Sequence, residues 1–239
     1  VFGDVFHLGI EAGVTRNNGN DTSGGNGSVD SAHAGLYSYA DAGPLVLSAT
    51  VDGMHSSYRV NRATGIAAAT SSPDGHTLSA ALQVAWPLQL AQWQLAPKVG
   101  ALYQHQVLNG FSETVASGDA LAADYALTGT RSGFTTLQPY ADVSLAHSFQ
   151  AQSVTYLPQV SLGYRYNTRT MTAPVVQVIA EDGAVFAAPA AAQGRGMGTA
   201  NARVTAEAGA SWSLYIDYQG LFAGHLHDNA LSVGFTKHF

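Results

Sequence analysis

Residues 230–239 read ALSVGFTKHF. Drawn as an extended strand, Leu231, Val233, Phe235 and Phe239 share one face, and Ala230, Ser232, Gly234, Thr236 and His238 share the other. Chain ends usually fray and carry polar residues, so an aromatic in last place calls for an apolar surround. The same alternation recurs upstream. Phe6, Leu8, Ile10, Ala12 and Val14 alternate with His7, Gly9, Glu11, Gly13 and Thr15. Leu78, Ala80, Leu82, Val84 and Trp86 do so in 77–86; Val154, Tyr156, Pro158, Val160, Leu162, Tyr164 and Tyr166 in 154–167; Leu214, Ile216, Tyr218, Gly220 and Phe222 in 214–222. Weaker copies lie at 32–42, 45–55, 97–108, 137–149 and 202–210. A period of two repeated about ten times predicts an all-β chain.

The connections alternate in length. Long ones are expected at 17–30, 56–75, 109–134 and 168–200, and short ones near 41–44, 88–92, 150–153 and 210–213. A brief one, Gly224–Asn229, falls on the long side, and the 168–200 excursion has room for extra strand. Successive connections of an antiparallel meander go to opposite ends. One end therefore carries long Gly/Ser/Asn/Asp-rich loops and the other tight turns, the asymmetry of outer-membrane barrels.

Composition decides between a soluble and a membrane barrel. Of 239 residues, 46% are hydrophobic and only 11% charged, well below the usual charged share. The polar faces carry Gly, Ser, Gln, Tyr and Thr rather than the Lys and Glu that coat a water-facing sheet. The aromatics Trp86, Trp93, Tyr156, Tyr164, Tyr166, Trp212 and Phe222 sit near strand ends, as in interfacial girdles. Repeats of about 9–12 residues suit a tilted membrane crossing. The expected fold is a transmembrane antiparallel meander β-barrel in contact with outer-membrane lipid.

Other classes find little support. A net charge of −6 leaves no basic stripe for nucleic acid, and with no Cys there is no thiolate nucleophile and no Cys metal site. No apolar run approaches the ~18–20 residues of a membrane-spanning helix. There is no Gly-x-Ser-x-Gly elbow, Walker loop or dinucleotide fingerprint. His225 and His227 stand two apart with Asp228 beside them, but no third metal ligand is visible. The expectation is no enzyme, no metal and no cofactor. The alternative is a ten-stranded outer-membrane protease- or esterase-like enzyme, or a small pore, working in the outer loops. His55, Asp74, His76, His225, His227 and Asp228 would be its residues.

The stretch SVGFTKHF resembles the C-terminal assembly signal of bacterial outer-membrane proteins. Ser232, Gly234, Phe235 and Phe239 carry it, and Lys237 stands where a hydrophobic residue is usual. The wider chain resembles the autotransporter β-domain, the translocator of type V secretion. The resemblance rests on AGLYSYADAGPLVLSATVDGMHSSYRVNR, LAPKVGALYQHQVLNGFSET, TYLPQVSLGYRYN and the closing ARVTAEAGASWSLYIDYQGLFAGHLHDNALSVGFTKHF. It implies a single translocator domain over 1–239 that displays a passenger, folded with the help of periplasmic chaperones and the barrel assembly machinery. Family barrels have twelve strands after a pore-threading helix and a passenger. Here the chain starts at what matches the third strand, so the expectation is an N-terminally incomplete domain or a divergent ten-strand barrel.

Charged residues on the polar faces are expected to point into the lumen: Glu11, Lys98, Asp142, Arg165, Arg203, Glu207 and Asp217. Mid-bilayer on the lipid side, an Arg or Lys would cost roughly 2–4 kcal/mol. Glu113, in GFSET, matches a family position facing the pore near its outer side, where the resemblance implies contact with the threading helix or passenger. Lys237 lies on the apolar face at the turn end, where its stem can snorkel.

Overall fold

The computed structural model describes residues 6–20, 24–65, 67–115, 124–168, 175–180, 182–189, 195–209, 212–224 and 226–237. The strands are, in order, β1 (Phe6–Asn20), β2 (Asn26–Ala42), β3 (Leu45–Ala63), β4 (Ala68–Ser71), β5 (Asp74–Ala85), β6 (Leu88–Leu90), β7 (Trp93–Leu108), β8 (Phe111–Ser112) and β9 (Thr114–Val115). They continue with β10 (Leu127–Gly129), β11 (Ser132–His147), β12 (Phe149–Ala151), β13 (Val154–Tyr166), β14 (Val175–Ala180), β15 (Val185–Pro189), β16 (Gly196–Ala208), β17 (Trp212–Ala223) and β18 (Leu226–Lys237).

Each long strand pairs with the next in the order β1-β2-β3-β5-β7-β11-β13-β16-β17-β18. All these pairs are antiparallel. The sheet is a meander that curls into an open half-barrel. Among the described residues β1 and β18 are each paired on one side only. Short strands extend the sheet: β4 on β3, β9 on β4, β6 on β7 and β12 on β13. A second small sheet, β15-β14-β10-β8, is built from the long connections at one end.

The side-chain partition is that of a membrane barrel. A soluble sheet buries its apolar stripe, whereas here Ile10 is 81% exposed, Val14 83% and Phe235 71%. Most of the named buried side chains are polar, among them Ser56, Gln138, Ser144 and Asp217. Alternation thus sends the apolar set outward to lipid and the polar set to the concave side. Inside lipid every backbone group must find a partner within the protein, and the ladders supply them.

Three expectations about connections are corrected. The stretches 17–30 and 56–75 are largely strand: β1 runs to Asn20, β2 starts at Asn26 and β3 reaches Ala63. Their Asn, Ser and Gly composition looks like loop, but each neighbour supplies a full ladder of backbone partners, and Asn61 Nδ2 donates to Asn26 Oδ1 at 3.1 Å. β3, with 19 residues, is nearly twice the length a crossing needs, so the hairpins stand well clear of the apolar belt. Gly224–Asn229 is mostly strand too, because pairing of β17 with β18 continues up to Ala223 opposite Leu226. The excursion 168–200 does hold extra strand, β14 and β15.

Candidate functional site

The concave wall is built from alternate residues of the long strands. Register puts Lys98 opposite Asp142, and Lys98 Nζ lies 3.0 Å from Asp142 Oδ1. The contact is an ion pair by proximity rather than a well-directed hydrogen bond, since that oxygen has no aligned donor. Three strands on from Asp142, Asp217 is 6% exposed. Its carboxylate accepts from Asn201 Nδ2 at 2.6 Å and from Gln219 Nε2 at 2.7 Å. Arg203, the register partner of Asp217, instead lies over the ring of Tyr215 at 4.1 Å and donates from Nε to Thr205 Oγ1 at 3.3 Å. Arg165 stands over Tyr140 at 5.8 Å, and Tyr140 Oη donates to Gln83 Oε1 at 3.1 Å. Lys98, Asp142, Arg165, Arg203 and Asp217 face one open cleft of about 510 Å³ that also meets Gln159 and Thr199. Its two arginines are held by rings and hydroxyls rather than by carboxylates, so cationic charge stays available to the lumen.

A second polar group lies across β1, β2 and β3. His33 Nδ1 is 2.9 Å from Asp52 Oδ2, and Ser31 Oγ is 2.8 Å from Ser56 Oγ. Glu11 and Asp52 reach over the middle strand at Gly35. A Cβ there would come 2.8 Å from Val51 O, 3.0 Å from Asp52 Oδ2 and 3.1 Å from Glu11 Oε1. Glycine is thus the residue that fits between the two carboxylates.

At the looped end, Arg62 and Glu113 meet in a fork. Arg62 Nε donates to Glu113 Oε1 at 3.0 Å and Nη2 to Oε2 at 2.6 Å. Arg62 also donates to the Tyr125 carbonyl at 2.7 Å, and the Leu127 N–H donates to Glu113 Oε2 at 3.0 Å. The Glu113 side chain is only 5% exposed. Its hydrogen bond pushes the Arg62 guanidinium up from its already high range, against an opposing effect of burial. Glu113 therefore has a partner within the sheet's own rim.

Glu11 and Glu207 share the parity of the concave side on β1 and β16, with Glu207 near the tight-turn end opposite Ser213. Trp86, Trp93, Tyr156 and Trp212 lie on the outward face at the tight-turn end, and Tyr164, Tyr166 and Phe222 at the looped end. Ser232 faces Asp217 in register; Gly234 lies under the Tyr215 ring, where no Cβ fits; Phe235 projects outward. Phe239 and His225 lie outside the described residues. The Lys237 ammonium sits 5.2 Å over the Trp212 ring, also outward.

Among the described residues, those of the enzyme alternative are not assembled into a centre. His55 and His76 are cross-strand neighbours, but on the outward face. Asp74 Oδ2 instead accepts from Asn109 Nδ2 at 2.8 Å. Among the described residues no three His, Asp or Glu groups are placed to hold a metal. Sequence reading missed Arg62, His33 and Asp52. The last two stand at polar positions of alternating strands, so parity could have found them; the partner of Arg62 lies 51 residues away.

Residues 1–219 match the family model described as Autotransporter beta-domain. The structure is similar to the translocator domain of autotransporter NalP from Neisseria meningitidis. The TM-score is 0.76 at 16% identity, over 99% of this chain and 75% of that one. The transport unit of the autotransporter AIDA-I from Escherichia coli aligns over 98% of this chain and 82% of its own, at 12% identity and a TM-score of 0.42. No curated protein sequence matches the chain.

Proposed function

The chain belongs to the autotransporter β-domain family, and from that premise we propose where it works and with what. It is a translocator domain: a β-barrel that serves type V secretion, supporting export of a passenger. Family members are embedded in the outer membrane, and this chain takes the same place in a Gram-negative cell. The observation that carries the reading is the inverted partition, with Ile10, Val14 and Phe235 exposed while Gln138, Ser144 and Asp217 are buried on the other face.

The concave wall acts as a hydrated, charge-bearing surface for an extended or helical segment. Lys98, Arg165 and Arg203 offer cations, and Glu11, Asp142, Glu207 and Asp217 offer anions. No bond is made or broken in this role, so no catalytic residue is assigned. Glu113 serves the rim through Arg62. The backbone edges of β1 and β18 are closed in lipid, where an unpaired N–H or C=O costs several kcal/mol. Closure is by each other or by further strands of the same single domain. Ser232, Gly234, Phe235 and Phe239 form the signal read by the barrel assembly machinery, after delivery by periplasmic chaperones. Trp86, Trp93, Tyr156, Tyr164, Tyr166, Trp212 and Phe222 form the two interfacial girdles.

The test is to fuse an epitope-tagged reporter upstream of the domain and express it in a Gram-negative host. The expected result is a heat-modifiable species in the outer-membrane fraction and a reporter degraded by protease added to intact cells. A reporter that stays protected while the barrel is folded and inserted would refute export. Hydrolysis of peptide or ester substrates by the purified domain, abolished by His55→Ala or His76→Ala, would refute the non-catalytic assignment.

A further inference from the structure

The outward face changes character at one band. On β1 five apolar positions, Phe6 to Val14, are followed on the same side by Arg16, about 7 Å further along. On β3 the outward series Leu47, Ala49, Val51 and Gly53 gives way to His55, Ser57 and Arg59. Asp30 of β2 is the register partner of both Arg16 and Ser57. The three charged side chains are joined: Arg16 Nε and Nη2 donate to Asp30 Oδ1 and Oδ2 at 2.7 and 3.0 Å, and Arg59 Nη1 lies 3.6 Å from Oδ2. Their side chains are 60% (Arg16) and 70% (Arg59) exposed. One carboxylate holds two guanidiniums side by side, and a net positive charge remains. His76 of β5 lies beside His55 on the same face.

This position distinguishes the cluster from the cations of the lumen. It faces the bilayer rather than the pore, directly above the apolar belt and at the end that carries the long connections. If the barrel reading holds, that end is extracellular, and headgroups of the outer leaflet lie level with it. We propose that Arg16 and Arg59 form a docking site for the phosphate of an outer-leaflet phosphorylated glycolipid, with its acyl chains along the apolar face below. The chemistry fits. A guanidinium has five donors in a planar fork matched to phosphate oxygens, and Arg16 spends two of them on Asp30. Asp30 preorganises the pair by keeping both long side chains at the rim. Ser28 and Ser57 stand on the same outward side and add hydroxyl donors.

The inference rests on the outer-membrane reading, and the experiment separates the two. The full-length protein is folded into phosphatidylethanolamine vesicles containing either diphosphoryl lipid A or the same lipid stripped of phosphate. The temperature at which the compact gel form is lost is then followed against lipid content. The expected result is stabilisation by the phosphorylated lipid alone, with an apparent affinity about tenfold weaker in Arg16→Gln/Arg59→Gln. Lys237→Gln, changed on the same outward face at the opposite end, keeps the wild-type response. Equal stabilisation by the dephosphorylated lipid, an unchanged double variant, or equal stabilisation by inorganic phosphate alone would each overturn the proposal while leaving the barrel intact. Failure of the wild type to give any compact form in vesicles would overturn the membrane-barrel reading and the proposal together.

Discussion

Arg62 and Glu113 are joined at two points, Nε to Oε1 at 3.0 Å and Nη2 to Oε2 at 2.6 Å, across 51 residues of chain. The pair ties the outer end of β3 to the connection that follows β8. Glu113 also caps the Leu127 N–H, so three segments of the rim meet on one carboxylate. Glu113→Ala should strand two donors. Because Arg62 is partly exposed, the cost is about 1–2 kcal/mol, felt locally. Limited proteolysis on intact cells should show faster cutting between 109 and 131, with the melting of the barrel nearly unchanged. The Glu113 carboxylate raises the Arg62 guanidinium, so Arg62's share of the pair is lost on the alkaline side only in extreme alkali. Cutting as slow as in the wild type would deny the clamp.

Thr50 and Val51 are neighbours on β3 that point to opposite sides, with Val51 50% exposed to lipid. Val51→Lys places a charge in hydrocarbon and should cost roughly 2–4 kcal/mol near the midplane. Thr50→Lys places the same charge in the wet lumen and should cost well under half as much. Urea unfolding in vesicles measures both. Similar costs for the two would contradict the assignment of faces.

Gly234 lies beneath the Tyr215 ring, where an added Cβ would overlap the ring atoms. Gly234→Val should lower the yield of heat-modifiable barrel and cost about 1–3 kcal/mol through overpacking. Tyr215→Ala in the same chain should recover part of the loss by vacating the space, although Arg203 then gives up its cation–π contact. No recovery in the double variant would mean that Gly234 matters for a reason other than the ring.

Lys98 and Asp142 face each other inside the wall, with side chains 23% and 16% exposed. Removing one partner leaves a half-buried charge, so Lys98→Met and Asp142→Leu should each destabilise more than the pair changed together. A double-mutant cycle on unfolding free energy should give a coupling of about 1–2 kcal/mol. Simple additivity would show that water already screens the pair.

Much of the architecture was legible in single strands. In 6–15 and 154–167 the alternation is so regular that strand, face and approximate length follow from the residue order. The polar positions Lys98, Asp142, Arg165 and Asp217 share one parity, and they line one cleft. Parity is local: each Cβ flips side with each residue. The Asn- and Ser-rich hairpin of β1 and β2 was less legible. Composition speaks for loop, while the extended form wins because neighbouring strands offer backbone partners that composition cannot reveal.

The sequence by itself determined that the chain is an alternating, charge-poor meander, because a period of two is written residue by residue. The tertiary structure decided which groups meet. Arg62 finds Glu113, His33 finds Asp52, and Arg203 takes a ring rather than its register partner Asp217. These choices depend on strand register and curvature, which bring together side chains 12 to 51 residues apart. The cost of leaving a desolvated charge unpaired then selects the partner, and that cost is set by the assembled wall rather than by any local stretch of sequence.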